Sequence, residues 1–412
     1  MADVVWITSE FPFGTGEHFI HGELGAWAGH DVVLLPEKRA DSDVNRAAEV
    51  PVDATLADRW VSRPWLARAL AGALLGRVFW REVAWLVGQR QASRVRLRIA
   101  LRTAAQVHLI ADTLRGMARR QGHPIRLVYG YWLSAGVLAG AMGRRRGFVE
   151  HVVCRAHGTD LWEHSRTAQY TPLVRQFAQD IDAVFAISER GSEHLKRYGF
   201  TASQRRVARL GVSLHDKRTP PTPEGEFHVL TLSSMTPLKR LDRVVDALAL
   251  LPGLLPGVRI RWTHIGEGPL GDELLDRARR VLGPTPVEYT FLGQLGHADA
   301  LAWLAGNAVD LILNTSDSEG IPVSLMEAMS FGIPAVAADV GAVGELVPPQ
   351  LLLPEGPDPS RVAHMLAANA DLVKEPVVRD AARSIVVDGY DAARNHAAFV
   401  AEVMGLAEGS AS

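Results

Sequence analysis

Cysteine is almost missing from this chain: Cys154 is the only one in 412 residues. No intrachain disulfide can form, so apolar burial must hold the fold, and a reducing compartment is the expectation. No apolar run reaches the ~18 residues that a membrane-spanning helix needs. The opening Met1-Ala2-Asp3 has no basic region of a secretory leader, so none is expected. A net charge of −2, from 44 basic and 46 acidic residues, gives no global field toward nucleic acid. Internal repeats and low-complexity tracts are also absent, apart from a short Gly/Ser tail expected to be disordered. Apolar residues, in contrast, make up 47% of the chain, enough for two full cores of about 200 residues each.

The apolar runs are short and alternate with helical patterns. Buried strands are predicted near residues 4–8, 31–35, 127–129, 151–155 and 183–187. A Pro-rich break comes next, at Thr219-Pro220-Pro221-Thr222-Pro223-Glu224-Gly225. The alternation then restarts at residues 227–232, 259–265, 289–293 and 309–313. The economical fold class is α/β, with two Rossmann-like doubly wound domains facing across a cleft. The expected boundaries are 1–218 for the first domain and 226–388 for the second, with 389–412 holding a last helix and tail.

The most informative segment runs Asp317-Ser318-Glu319-Gly320-Ile321-Pro322-Val323-Ser324-Leu325-Met326-Glu327. An apolar strand precedes it, and Pro322 suits the first position of a helix that stops near Gly332. Ligands of such sheets bind at the carboxyl ends of the strands, which places Glu319 in a binding loop. The backbone N–H groups of Val323 and Ser324 open the helix and, with its dipole, attract a diphosphate. A carboxylate beside them is unfavourable unless it serves another ligand group, such as sugar hydroxyls. Two ordinary solvated glutamates are the competing reading.

This segment resembles the E-x7-E motif of retaining glycosyltransferases of the GT-B group called family 4. The resemblance covers most of the chain and is strongest in residues 226–347. Members often carry Gly where Pro322 stands, a slight departure. The Glu-Gly-Ile-Pro-Val form is similar to a subset that builds exopolysaccharides and lipid-linked glycans. By that resemblance the fold is GT-B, with a donor-binding second domain, an acceptor-binding first domain, and a last helix, about 390–405, crossing back to the first domain. It implies that Glu319 binds the donor sugar, Glu327 the ribose and Lys239 the diphosphate.

Other segments fit that resemblance. His157, in Arg155-Ala156-His157-Gly158-Thr159-Asp160, comes after a strand and resembles the histidine that touches the donor sugar near its reacting carbon; a purely structural histidine is the alternative. Asp160 reads equally as a helix cap or an acceptor-site residue. Gly14-Thr15-Gly16 sits in the first strand-to-helix loop, where the backbone at Gly16 can approach a ligand closely. The third glycine position of a dinucleotide fingerprint holds Phe19 instead, which argues against a nicotinamide site. In Ser233-Ser234-Met235-Thr236-Pro237-Leu238-Lys239-Arg240, Ser234 stands where the family has an arginine. Lys239 remains, with Arg240 able to compensate, and a cation is what the departing diphosphate requires. Gly266 and Gly268 form a tight turn like the one beside the nucleotide in the family, and Phe291-Leu292-Gly293 matches a strand end that borders the base.

The triplets Asp41-Ser42-Asp43 and Asp180-Ile181-Asp182 have D-x-D form, but the first is in a polar loop and the second begins a strand. No metal and no cofactor are expected; the donor is a substrate, a UDP- or GDP-sugar. Residues 59–102 carry ten arginines, one acid (Glu82) and four tryptophans (Trp60, Trp65, Trp80, Trp85). Arg90, Arg94, Arg98 and Arg102 are expected on one helical stripe. An anionic membrane surface is one reading of this region and a solvated helix face is the other.

The sequence therefore points to a retaining, metal-independent hexosyltransferase. Its partners would be a nucleotide-sugar donor and a glycan or lipid-linked acceptor, with no nucleic acid. It would be cytoplasmic, with a peripheral place on the inner face of the membrane left open. A glycosidase needs an opposed acid and nucleophile, which two glutamates split by a phosphate-binding helix start do not provide. A nucleotide-sugar epimerase on the same fold, and a non-catalytic sugar-nucleotide-binding protein, are the rival readings.

Overall fold

The computed structural model describes residues 3–14, 17, 19–39, 50–163 and 166–409. The chain divides into two compact units, one made of residues up to Ala208 together with those from His396 onward, the other of Arg209–Asn395.

The first unit is built on a parallel sheet of β1 (Val4–Thr8), β2 (Val32–Pro36), β3 (Ile125–Gly130), β4 (Val149–Ala156), β5 (Ala183–Ala186) and β6 (Arg205–Val207). Its strand order is β2-β1-β3-β4-β5-β6. The second unit carries β7 (Glu226–Leu232), β8 (Arg259–Ile265), β9 (Glu288–Phe291), β10 (Leu311–Asn314), β11 (Ala335–Ala338) and β12 (Leu352–Leu353), ordered β12-β11-β10-β7-β8-β9. All pairings are parallel. Both β10 and β11 are buried at every position, as a sheet covered on both faces requires. The strand order reverses between β1 and β3 in one sheet and between β7 and β10 in the other. Chains leaving adjacent strands there diverge and open a crevice at the strands' carboxyl ends.

The boundary lies earlier than the expected 218. Val212 is buried in the second core, and its N–H donates to Tyr390 O at 2.9 Å. Thr219 Oγ1 donates to Leu304 O at 2.5 Å, and Thr222 N donates to Asp310 Oδ1 at 2.8 Å. The Pro-rich segment is therefore part of the second unit's packing, because its hydroxyls and amides satisfy buried partners there. The last helix, Ala392–Glu408, begins in the second unit. From His396 on it belongs to the first, where Phe399, Val400 and Val403 join a core with Trp6, Trp27 and Tyr129.

Between β2 and β3 lies a run of helices, Thr55–Val61, Arg63–Leu75, Arg77–Gly88 and Arg94–Gln121. This corrects the expected arginine stripe. Arg90 sits in the break before the long helix with φ 55°, so only Arg94, Arg98 and Arg102 share a helical face. Trp60, Trp65 and Trp85 pack partly buried against the core, whereas Trp80 is 55% exposed. The second D-x-D triplet is occupied structurally. Asp180 accepts from Arg145 Nε at 2.7 Å, and Asp182 accepts from Val152 N at 2.8 Å. The first triplet, Asp41-Ser42-Asp43, lies outside the described residues.

Candidate functional site

In the second unit, the loops after β7, β8, β10 and β11 converge at the sheet's reversal point. Asn314 ends β10 and organises the loop beyond it. Its Oδ1 accepts from Ser316 N at 2.9 Å, and its Nδ2 donates to Glu319 Oε1 at 3.0 Å. The same Oε1 accepts from Lys239 Nζ at 2.6 Å. Glu319 Oε2 makes no hydrogen bond among the described residues. The Glu319 side chain is only 9% exposed, Lys239 23%. The loop is clamped from behind: a Cβ on Gly341, just past β11, would sit 1.8 Å from Glu319 O, and Ala342 N donates to Gly320 O.

Pro322 is the N-cap, extended at φ −69° and ψ 116°, one position before the place the sequence suggests. The helix itself is Val323–Ser330. Val323 and Ser324 are its first two residues, and a helix offers no internal carbonyl to such N–H groups. Glu327 lies on its second turn, with Oε1 2.7 Å from His297 Nε2.

After β7, a single turn of tight helix, Pro237–Lys239, delivers Lys239. Arg240 then adopts a left-handed conformation, φ 49° and ψ 43°, which costs a non-glycine residue roughly 1–2 kcal/mol. Its guanidinium supplies the compensation, meeting Asp242 at 3.1 and 2.9 Å and Asp317 at 3.1 Å. Arg243 donates to the other oxygen of Asp317 at 2.6 Å. Arg240 is thus tied to two carboxylates. Ser234 is exposed, and its carbonyl accepts from Thr236 N.

The glycine turn after β8 is laced to the same loop. Gly266 has φ 133°, and a Cβ there would lie 2.0 Å from Ser233 O; one on Gly268 would lie 2.6 Å from Met235 O. Only glycine permits this approach. Met235 N donates to Glu267 O, and Leu270 N donates to Met235 O. Beside the turn is a cavity of about 750 Å³, walled by Met235, Glu267, Gly268, Phe291 and Gly293. A second, of about 390 Å³, is walled by Met235, Arg240, Leu270, Arg277 and Asp317.

In the first unit, the strand ends gather a different group. Glu17, 5% exposed, accepts from the backbone N–H groups of Ser9, Glu10 and Phe11 at 3.1, 2.7 and 2.8 Å. It also accepts from Trp132 Nε1 at 2.5 Å. His157 packs its ring 4.8 Å from Tyr131 and 4.6 Å from Trp132. Burial, then the charge of Arg155, pushes its pKa down to about 3, so the imidazole is neutral near pH 7. Its buried Nε2 has no hydrogen-bond partner among the described residues. Asp160 Oδ2 accepts from His157 N at 3.0 Å, so Asp160, the third residue of the Gly158–Leu161 helix, closes a capping box on its N-cap His157. Glu37, just past β2, is partly buried, and burial, then the Glu17 charge, pushes its pKa up to about 7. Gly16 lies outside the described residues.

Residues 226–371 match the family model described as Glycosyl transferases group 1. They are a glycosyl transferases group 1 domain. The chain is 25% identical over 354 residues, 82% of each chain, to WcaL of Salmonella typhimurium, which is named a colanic acid biosynthesis glycosyltransferase. It is 28% identical over 248 residues to WcaL of Escherichia coli, a match covering 56% of this chain and 59% of that protein. Among solved structures, HepE of Anabaena in complex with UDP aligns with a TM-score of 0.66 at 17% identity, covering 98% of this chain and 100% of that one. The two six-stranded parallel sheets with flanking helices are the GT-B fold.

Within the glycosyl transferase domain, Lys239, Glu319, Val323 and Ser324 come from loops that meet at one reversal point, and Glu327 lies one turn farther along. Gly266 and Gly268 border the same Met235 loop. Asn314, Asp317, Arg243 and His297 join the site without having been legible as site residues in the sequence. Asn314 at a strand end, a position that commonly anchors a loop, is the one available signal. The others act through partners 30 to 77 residues away, which no local pattern encodes.

Proposed function

We propose that this chain transfers a hexosyl group from a nucleoside diphosphate sugar to a glycan or lipid-linked acceptor, with retention of configuration and without a metal ion. The observation that carries the reading is the Lys239–Glu319–Asn314 cluster at the reversal point, beside the N-terminus of the Val323–Ser330 helix. In this reading Lys239 and the helix N–H groups hold the diphosphate as negative charge builds on it. Glu319 is fixed through Oε1 and offers Oε2 to a sugar hydroxyl. Glu327 takes the ribose, and the family resemblance assigns His157, neutral near pH 7, to the sugar. No side chain need act as a covalent nucleophile, because the departing phosphate can accept the acceptor's proton. The UDP in the HepE structure favours a UDP-sugar, and the name of WcaL favours an exopolysaccharide acceptor.

The test is incubation with a panel of UDP- and GDP-sugars, with and without extracted lipid-linked glycans. Mass spectrometry would track product, and NMR its anomeric configuration. A glycosylated product with the donor's configuration is expected. Donor conversion with no acceptor present, or binding without turnover, would overturn the reading.

A further inference from the structure

The Arg63–Leu75 helix is built in reverse of an ordinary surface helix. Apart from Trp65, which packs partly buried against the core, its inner side is made of small residues: Ala69 and Ala73 are buried, and a Cβ on Gly72 would meet the His108 ring at 3.0 Å. The large apolar residues are on the outside. Leu66, Leu70 and Leu74 recur every fourth position at 43, 42 and 41% exposure, and Leu75 is 88% exposed. Trp80 extends the ridge, 55% exposed, with Nε1 donating to Leu74 O at 2.7 Å. Eight of the fifteen exposed large hydrophobic residues among those described fall between Val61 and Val95, so this is a concentrated face. Contiguous exposed apolar surface of this kind marks an interaction site.

Charge says what covers it. Residues 59–102 hold ten arginines and only Glu82 as an acid. Glu82 adds nothing to the surface, because it is 3% exposed and accepts from Tyr170 Oη, Leu173 N and Gln176 Nε2. Arg68 is neutralised by Asp112 at 3.1 Å, and Asp58 by Arg39 at 3.1 Å. Arg63, Arg77 and Arg81, which flank the ridge at both ends, are exposed and make no ion pair among the described residues. An apolar ridge with a tryptophan, bordered by unpaired arginines, fits the boundary between acyl chains and anionic headgroups. No helix among the described residues is long and apolar enough to cross a membrane, so contact would be with one surface. We propose that the Arg63–Leu75 helix and Trp80 dock this chain on an anionic lipid bilayer, with Leu66, Leu70, Leu74 and Leu75 entering the headgroup boundary and Arg63, Arg77 and Arg81 contacting lipid phosphates. This centres the contact on the Arg63–Leu75 helix, whose Leu66 borders a cavity with Arg102, and no longer on the arginine stripe itself; it does not rest on the sugar-transfer reading.

The experiment is co-sedimentation of the full chain with vesicles of phosphatidylcholine alone or mixed equally with phosphatidylglycerol, at low and high salt. Binding should require the anionic lipid and weaken with salt. An Arg63→Gln/Arg77→Gln/Arg81→Gln variant should bind on the order of a hundredfold more weakly, at about fivefold per arginine. A Leu66→Ser/Leu70→Ser/Leu74→Ser variant should lose binding even at low salt. Both should melt cooperatively and keep wild-type affinity for UDP or GDP, whichever the wild type binds. Failure of the wild type to bind anionic vesicles at low salt would overturn the proposal. So would a leucine variant that still binds, or leucine-dependent dimers that ignore vesicles.

Discussion

Lys239→Ala is the substitution with the most interpretable expected effect. Two terms contribute. The first is the lost charge-assisted hydrogen bond to the diphosphate, worth about 1.5–3 kcal/mol, or roughly 10- to 150-fold in affinity. The second arises because Lys239 Nζ lies 2.6 Å from Glu319 Oε1 and balances a carboxylate that is only 9% exposed. With the lysine gone, Asn314 Nδ2 is the one remaining donor to that carboxylate among the described residues, and it carries no charge. A carboxylate and a phosphate charge about 6 Å apart repel by roughly 3 kcal/mol at an effective dielectric of 20. Calorimetry with UDP and GDP should therefore show at least about a tenfold rise in Kd. The terms separate in the double variant Lys239→Ala/Glu319→Gln, which removes the repulsion and should bind more tightly than Lys239→Ala alone. An unchanged Kd in the single variant would refute the phosphate assignment and move it to Arg240. A double variant no tighter than the single would refute the electrostatic argument.

Glu319→Gln should lower turnover by roughly a hundredfold or more, the loss expected for a transition-state contact of a few kcal/mol, without weakening nucleoside diphosphate binding; equal turnover would remove Glu319 from the sugar. Activity should survive EDTA, and loss restored by Mg²⁺ or Mn²⁺ would overturn metal independence. Glu37, with its pKa pushed up to about 7 from 4.5, keeps in the native state a proton that the unfolded chain releases, so stability should fall as pH rises from 4.5 through 7. Glu37→Gln should then stabilise at pH 8 by on the order of 1–3 kcal/mol and hardly at pH 4, so denaturant melts showing equal effects at both would contradict the burial argument.

How much of this is legible in the sequence depends on the range of each interaction. The central strands announce themselves, because a parallel strand buried on both faces must be a nearly continuous apolar run, as Leu311–Asn314 and Ala335–Ala338 are; the short edge strands Arg205–Val207 and Leu352–Leu353 carry no such run and are not legible. The helix after Glu319 is legible to within one residue, since Pro322 and Gly332 bracket it. The unit boundary is misplaced by sequence, because proline marks a break in secondary structure but not a break in packing. Thr219 and Thr222 find their partners at Leu304 and Asp310, 85 and 88 residues away. The arginine stripe fails at Arg90 for a local reason: four-residue spacing continues through a helix break that periodicity cannot see.

The charge balance around Ser234 shows most clearly where sequence and structure divide. From sequence, Lys239 and Arg240 are adjacent cations after one strand, and either could replace the arginine that Ser234 displaces. In the structure they are not equivalent. Arg240 holds Asp242 and Asp317, and Asp317 also receives Arg243, a closed network that pins the left-handed turn. Recruiting Arg240 to a diphosphate would forfeit contacts that hold the loop itself. Lys239 has one carboxylate partner among the described residues, and it extends from the turn that this network fixes. A lysine with one partner can shift between Glu319 and a phosphate on a flexible stem, whereas a guanidinium forked between two carboxylates cannot do so without breaking both. In the proposed function the adjacent cations thus divide the work: Arg240 shapes the loop, and Lys239 is the one proposed to meet the diphosphate.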